Sequence, residues 1–259
     1  MKQRMKLSLL KRLWILILLP LCMESVANTA PDNNRKRTYQ TYLRTDFSKW
    51  TAWIEQTQKQ AFEGNNLHFH LEVLKDFYGY IGHLLDTKQE DLADDWTKKA
   101  KTYVLKVEKS FPNNADVVAY MSIITSFQIA ISPYKAPFLA PSMMKTSNEA
   151  LEMDPNSLPA QIAKANILFY FPEAFGGDKK EALEHYLNMY ASYDKHPEAK
   201  RTDWRYLYLQ TIIANAYDQV GNLPKALEWV RKALAFEPDF RYAKEKLLPR
   251  LEKKAKEAN

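Results

Sequence analysis

Histidines near acids or near other histidines are the residues of this sequence that could bind a metal ion. His68 and His70 lie two residues apart, and on a helix positions i and i+2 point in different directions. His83 with Asp86, and His185 with one nearby acid, are single helical neighbours, whereas a structural zinc site uses four ligands. The spacing therefore predicts buried or solvated histidines and no metal site.

Motifs for nucleotide binding and nucleophilic catalysis are missing from the sequence. Gly176-Gly177 has none of the other residues of a phosphate-binding loop. There is no Gly-x-Ser-x-Gly turn for a serine nucleophile, and the single cysteine, Cys22, lies in a segment that we expect to be removed. The sequence predicts a protein that is not an enzyme and uses no cofactor.

Residues 1–27 have the pattern of a secretory signal peptide. Basic residues are followed by the apolar run 13–21 and then by Ser25-Val26-Ala27, so cleavage is expected after Ala27. Cys22 allows a lipid-anchored alternative, but Leu21 stands before it where a lipoprotein signal has a small residue. We expect export to the periplasm or cell envelope, with no transmembrane span and no cysteine in the mature chain.

Most of the formal charge of +6 lies in this same segment, which holds five basic residues and one acid. The rest of the chain is nearly neutral, with both signs interspersed, and this argues against binding to nucleic acid. Three further divisions follow from composition and periodicity: a polar, flexible leader at 28–37, an N-terminal helix at 38–66 and a helical repeat domain at 67–259.

A spaced triplet of small or apolar residues recurs four times in the repeat domain. Each triplet has steps of four and three residues along one helix face, and in three copies a proline follows five residues later. Each triplet follows another predicted helix, at 67–86, 115–131, 157–172 and 199–219. The four triplets are Ala100/Val104/Val107, Met143/Ser147/Ala150, Ala182/Tyr186/Met189 and Ala226/Val230/Ala233. Self-similarity of this kind predicts stacked helix pairs.

Two segments carry a resemblance to a known family. In 217–238, a Gly turn, an Asn cap and the last triplet end at Pro238; in 171–182, Gly176-Gly177 precede the capping residue Asp178. Residues 67–257 resemble a tetratricopeptide-repeat protein of the exported bacterial type. The copies start about 40 residues apart, whereas the family period is about 34 residues.

The resemblance implies an all-α, right-handed superhelix of about four irregular helix pairs, with a capping helix that buries Phe240, Ala243, Leu247 and Leu251. Its concave groove would be lined by the first helix of each pair and would bind a protein or peptide. The groove candidates are Lys164, Ile167, Phe171, Tyr208, Thr211, Asn215 and Asp218.

Two functional hypotheses follow. The first is a non-catalytic protein–protein interaction scaffold of the bacterial cell envelope, whose partner the sequence does not identify. The alternative is a small-molecule-binding component of an envelope transport system, for which the abundance of tyrosine and tryptophan would suit a ligand pocket.

Overall fold

A computed structural model describes residues 21–257 of the chain, and the side chains from residue 33 onward. Over this range the protein is all-helical, without strands. The eleven α-helices are α1 (Leu21–Arg44), α2 (Trp50–Gly64), α3 (Leu67–Asp86), α4 (Glu90–Ser110), α5 (Ala115–Ile131), α6 (Ala136–Met153), α7 (Leu158–Tyr170), α8 (Lys179–Ser192), α9 (Arg205–Gln219), α10 (Leu223–Phe236) and α11 (Leu248–Glu257).

The four predicted triplets lie on the buried faces of α4, α6, α8 and α10. All twelve of their residues are at most 2% exposed. Each of these helices packs against the helix before it, which gives the pairs α3–α4, α5–α6, α7–α8 and α9–α10. The first helices also pack side by side, α3 on α5 and α5 on α7. The predicted arrangement of neighbouring helix pairs is therefore confirmed.

Two turns show how the sequence ends one helix and starts the next. Gly221 has φ +80°, a left-handed conformation that favours glycine, and the Asn222 side chain then accepts a hydrogen bond from the Lys225 amide at 3.2 Å. Gly177 approaches the Phe171 carbonyl so closely that a Cβ would lie 1.9 Å from its oxygen. The predicted cap of the following helix, Asp178, accepts from the backbone amides of the next turn.

The C-terminal segment covers the end of the stack. A π-helical turn at Ala243–Leu247 leads into α11, and the four residues predicted to face inward are at most 1% exposed. Along the described chain, no helix is long and apolar enough to cross a membrane.

The N-terminal part differs from the prediction in two places. The single helix expected at 38–66 is two helices, because the chain turns through Thr45, at φ +53°, and a 3-10 turn at Phe47–Lys49. The leader expected to be flexible at 28–37 lies within α1. There the Asn34 amide donates to the Thr57 hydroxyl at 3.0 Å. Arg35 pairs with Glu72 of α3, whereas Lys36 and Arg37 are exposed, so part of this polar segment is held by other helices and part faces solvent.

The predicted signal peptide falls mainly outside the description: residues 1–20 are not described, and of residues 21–27 only the helical backbone is. The last of the predicted first helices also begins later than expected, at Arg205, since a 3-10 segment at Pro197–Arg201 precedes it.

The two ends of the described chain meet along a contact that we call the seam, formed by Tyr42, Trp50, Gly79 and Trp204. The Tyr42 and Trp204 rings stack with centroids 5.1 Å apart, and Trp50 meets Trp204 edge to face at 6.0 Å. Gly79 fits between the two indoles, since a Cβ there would lie 2.8 Å from Trp204 and 3.0 Å from Trp50. Beside the seam, the Tyr39 hydroxyl donates to Glu237, 198 residues away, at 2.7 Å.

Buried charges flank the seam. Glu72 pairs with Lys75 and with Arg35, the latter at 2.8 Å, and Asp203 pairs with Arg205 at 2.6 Å. Burial opposes ionisation of both acids, but their cationic partners dominate and hold the pKa of Glu72 and of Asp203 below the ordinary values. These carboxylates therefore stay charged inside the protein.

Asp76 lies next to these pairs without a matched cation. Burial raises its pKa to about 8, and one carboxylate oxygen has no hydrogen-bond partner among the described residues. At neutral pH this carboxyl group is mostly protonated. No cavity gives a substrate access to the cluster, since Glu72, Lys75 and Asp76 are each at most 5% exposed. We therefore assign the charged cluster a structural role.

Candidate binding site

An asparagine on α7 joins three tyrosines from three other helices, and we call Tyr78, Asn166, Tyr186 and Tyr208 the tyrosine cluster. The Asn166 side-chain oxygen accepts from Tyr186 at 2.7 Å and from Tyr208 at 3.2 Å. Its amide nitrogen donates to the Tyr78 hydroxyl at 3.2 Å. These three hydrogen bonds of Asn166 therefore connect α7 to α3, α8 and α9.

Ring contacts within the tyrosine cluster and to α5 also hold the cluster in place. The Tyr78 ring stacks on Phe127 of α5 at 5.9 Å and meets Tyr208 edge to face at the same distance. Burial raises the pKa of the Tyr78, Tyr186 and Tyr208 phenols. These groups stay neutral at physiological pH, so they act as hydrogen-bond donors and acceptors and carry no charge.

Tyr170 lies one helical turn beyond Asn166, at the C-terminal end of α7. Its side chain is 65% exposed, and its ring packs edge to face on Phe169 at 4.8 Å. An aromatic side chain in this position leaves apolar surface for another molecule to cover.

The predicted groove residues of α7 fall into two environments. Ile167 is 5% exposed and packs on Ile129 and Met143 of the pair α5–α6, and Phe171, partly buried just after α7, packs on the same group. Lys164 is partly exposed on the same helix.

The predicted groove residues of α9 are also divided. Tyr208 belongs to the tyrosine cluster, and Thr211 is 3% exposed with its hydroxyl on the Tyr208 carbonyl at 2.9 Å. Asn215 accepts from Arg250 at 2.7 Å, and Asp218 pairs with Arg250 at 3.0 Å and with Lys254 at 2.6 Å. These last two residues anchor α11, which covers the end of α9.

The structure therefore brings Tyr208 together with residues that were not among the groove candidates, namely Tyr78, Asn166, Tyr170 and Tyr186. Tyr78 lies on the buried side of α3 together with Leu74 and Ile81. Asn166 lies between the groove candidates Lys164 and Ile167, and its polar side chain in an apolar helix was the available signal.

The histidines considered as metal ligands have other partners. His70 shares a hydrogen bond of 2.7 Å with the Tyr103 hydroxyl inside the core, and His68 lies 3.3 Å from Arg35. Among residues 33–257, whose side chains the structure describes, no group of three or more His, Cys, Asp or Glu side chains is placed to hold a metal ion.

Two small recesses lie elsewhere on the surface. One, of about 270 Å³, is lined by Arg44, Asp239, Arg241, Lys244 and Glu245. The other, of about 220 Å³, is lined by Phe47, Ser48, Tyr80, His83, Leu84 and Gln89. Pockets for drug-sized ligands are usually about 300–1,000 Å³, so neither recess has the size expected of such a site.

Fold and site together define an all-helical protein of neighbouring helix pairs, with a buried tyrosine cluster next to one exposed tyrosine, Tyr170. Comparison with known proteins assigns no family, since no family model matches the chain and no curated protein is significantly similar to it.

Proposed function

We propose that this protein is a non-catalytic interaction scaffold of the bacterial cell envelope. In this proposal the helix pairs form a right-handed superhelix of the tetratricopeptide type, and a protein segment binds on the surface beside the tyrosine cluster. The observation that carries the proposal is Tyr170, a large aromatic side chain that is 65% exposed at the end of α7, one turn from the tyrosine cluster. Exposed aromatic residues in such settings are frequent anchors for protein partners.

The arrangement of the tyrosine cluster supports a preformed site. Asn166 binds its three hydroxyl groups and the Tyr78 ring stacks on Phe127, so the cluster is rigid before a partner arrives. Tyr78 and Tyr186 are 7% and 0% exposed, so the group offered to a polypeptide segment is the neighbouring phenol of Tyr170, which has an apolar face and a hydrogen-bonding edge. No recess of small-molecule size adjoins the cluster among those described above, so the small-molecule alternative gains no support from the geometry.

Export belongs to the same proposal and rests on the sequence pattern of residues 1–27. Cleavage after Ala27 would keep Asn34, Tyr39 and Tyr42, whose contacts fix α1 to α2, to the end of α10 and to Trp204. The intact mass of the protein recovered from its native host checks this prediction. A chain that starts at Asn28 is expected, and a full-length chain or a lipid-modified Cys22 would contradict it.

Site-specific photocrosslinking tests the binding proposal. A benzoylphenylalanine at position 170 is expected to give a covalent protein adduct in cells of the native host. The matched control is the same residue at position 105, since Leu105 is also exposed, at 42%, on α4. A protein adduct at 170 and none at 105 supports the proposal. Equal adducts at both positions, or none at 170, would refute it.

A further inference from the structure

The turn between α5 and α6 carries large apolar side chains that the described part of the chain leaves exposed. Tyr134 is 74% exposed in the 3-10 turn Pro133–Lys135, and Phe138, one helical turn further on, is 81% exposed. The next position on this face of α6, Pro141, is also exposed. The other face begins the buried triplet at Met143. One side of α6 therefore packs on the protein, while the other presents rings and a proline to its surroundings.

A further exposed ring lies on the neighbouring helix pair. Phe175, in the turn between α7 and α8, is 69% exposed. This turn lies against α6, because a Cβ on Gly176 would be 3.5 Å from the terminal methyl carbon of Met144. Phe171, just before the turn, packs on the same buried cluster as Leu139 of α6. The exposed rings therefore belong to two turns that lie next to each other.

The charge of the α5–α6 hairpin has a single sign. Between Asp116 and Glu149 the sequence holds no acid, and its two charged residues there are Lys135 and Lys145. The Lys135 nitrogen lies 5.6 Å from the centre of the Tyr134 ring. Lys145 is 77% exposed on the same face as the rings, and its pair with Glu149 at 3.3 Å is a surface pair of the weak kind.

The neighbouring turn does not cancel this charge. Residues 171–180 hold two acids and two lysines, so they are neutral in sum. One of the acids, Asp178, already accepts hydrogen bonds from the backbone amides of Lys180 and Glu181, at 2.9 and 3.0 Å. The two adjacent turns therefore combine protruding rings with an excess of positive charge.

We propose that this edge docks on the surface of a membrane that contains anionic phospholipids. Tyr134, Phe138 and Phe175 would enter the interfacial layer, where aromatic side chains are favoured, and Lys135 and Lys145 would meet the headgroups. A second copy of the chain suits this face less well, because a two-fold contact would bring the same lysines together without a carboxylate between them. This inference goes beyond the proposed function, since it concerns another surface and another partner.

Fluorescence quenching tests which part of the protein enters the bilayer. Phe138→Trp is compared with Leu105→Trp, since Leu105 is also exposed, on α4. Each variant of the chain recovered from its native host is added to vesicles of phosphatidylglycerol and phosphatidylcholine with brominated acyl chains, which quench an indole that reaches them. Relative to the unsubstituted protein, additional quenching is expected for Phe138→Trp and none for Leu105→Trp.

Variants of the same edge measure the affinity by co-flotation with these vesicles. Tyr134→Ser combined with Phe138→Ser is expected to weaken binding by roughly 10-fold or more, because both rings lose their burial in the interface. Leu105→Ser is the matched control and should bind as the unsubstituted protein does. Lys135→Gln and Lys145→Gln are each expected to weaken binding by roughly 5-fold. Circular dichroism checks that every variant is folded.

Several results would overturn the proposal. These are equal quenching at positions 138 and 105, unchanged binding when both rings are removed, and equal affinity for vesicles of phosphatidylcholine alone. A fluorescence shift of Phe138→Trp that depends on protein concentration without vesicles would assign the face to a second copy. A protein adduct from benzoylphenylalanine at position 138 in cells would assign it to a protein partner. The scaffold proposal is decided at position 170 and is unaffected by these outcomes.

Discussion

The interfaces within the helix pairs and the seam between the chain ends are built in different ways. In the pairs, small and aliphatic residues such as Ala226, Val230 and Ala233 are wholly buried at short sequence separation. At the seam, indoles and phenols pack beside buried ion pairs, and the neighbouring Tyr39–Glu237 hydrogen bond joins residues 198 positions apart. The pair interface recurs four times, whereas the seam occurs once. We therefore expect the seam to be the more sensitive of the two to single substitutions.

Trp204→Ala is the change with the largest expected effect. The Trp204 side chain is 1% exposed and contacts Tyr42, Trp50 and Tyr78. Removing a fully buried indole costs about 3–5 kcal/mol of unfolding free energy, because a large cavity remains. Urea unfolding followed by circular dichroism measures the change.

Trp53→Ala is the control for this prediction, since Trp53 is partly exposed on α2. We expect a loss of about 1 kcal/mol or less for this variant. If the two variants lose similar stability, the seam has no special role in holding the chain ends together.

Asp76→Asn tests the buried carboxyl beside the seam. The pKa of Asp76 is raised to about 8 in the folded protein, so its contribution to stability is present at low pH and is lost as the pH rises through 8. For the native chain, this predicts a decrease of about 1.4 kcal/mol between pH 7 and pH 9. Asn cannot ionise, so the variant is expected to lose this pH dependence.

Other titrating groups near the seam act outside that pH window. Glu72 and Asp203 have lowered pKa values, so their stabilisation is lost only in acid, below about pH 4. Buried tyrosines such as Tyr42 have pKa values raised above 10, so their ionisation weakens the fold only at higher pH. If Asp76→Asn keeps the decrease between pH 7 and pH 9, Asp76 is not its source.

Ala226→Leu tests a pair interface with a smaller expected effect. Ala226 is 0% exposed where α10 packs on α9, and three extra carbon atoms would force the helices apart. Overpacking of this kind costs about 1–3 kcal/mol. Ala235→Leu on the exposed side of the same helix is the control and should change stability by less than about 0.5 kcal/mol. A neutral Ala226→Leu would show that close approach is not required there.

The pair interfaces could be predicted from the sequence because their rules are local. The spacing of Ala226, Val230 and Ala233 fixes one helix face, and a cap such as Asp178 depends on residues within one turn. The seam could not be predicted in this way. That Trp204 would pack on Gly79 depends on how all the intervening helix pairs are oriented, and helical periodicity carries no information about this.

The binding surface was partly predictable for the same reason. The resemblance implied that Asn215 and Asp218 line a groove, but local spacing could not show that Arg250 and Lys254 of a later helix would cover them. Tyr208, another candidate on α9, lies with Tyr78 and Asn166, which were not groove candidates. A side chain's helical face is a local property, whereas its exposure depends on segments that come later in the chain.

The last comparison is between the surroundings of Gly79 and Gly82, two glycines that lie less than one turn apart on α3. A Cβ at Gly79 would lie 2.8 Å from Trp204, whereas a Cβ at Gly82 would meet nothing. Gly79→Ala should therefore destabilise the protein by about 1–3 kcal/mol through the clash at the seam. Gly82→Ala should stabilise it by about 0.5–1 kcal/mol, because alanine restricts the unfolded chain without strain. Opposite signs in urea unfolding are expected, and a destabilising Gly82→Ala would contradict the open space around that position.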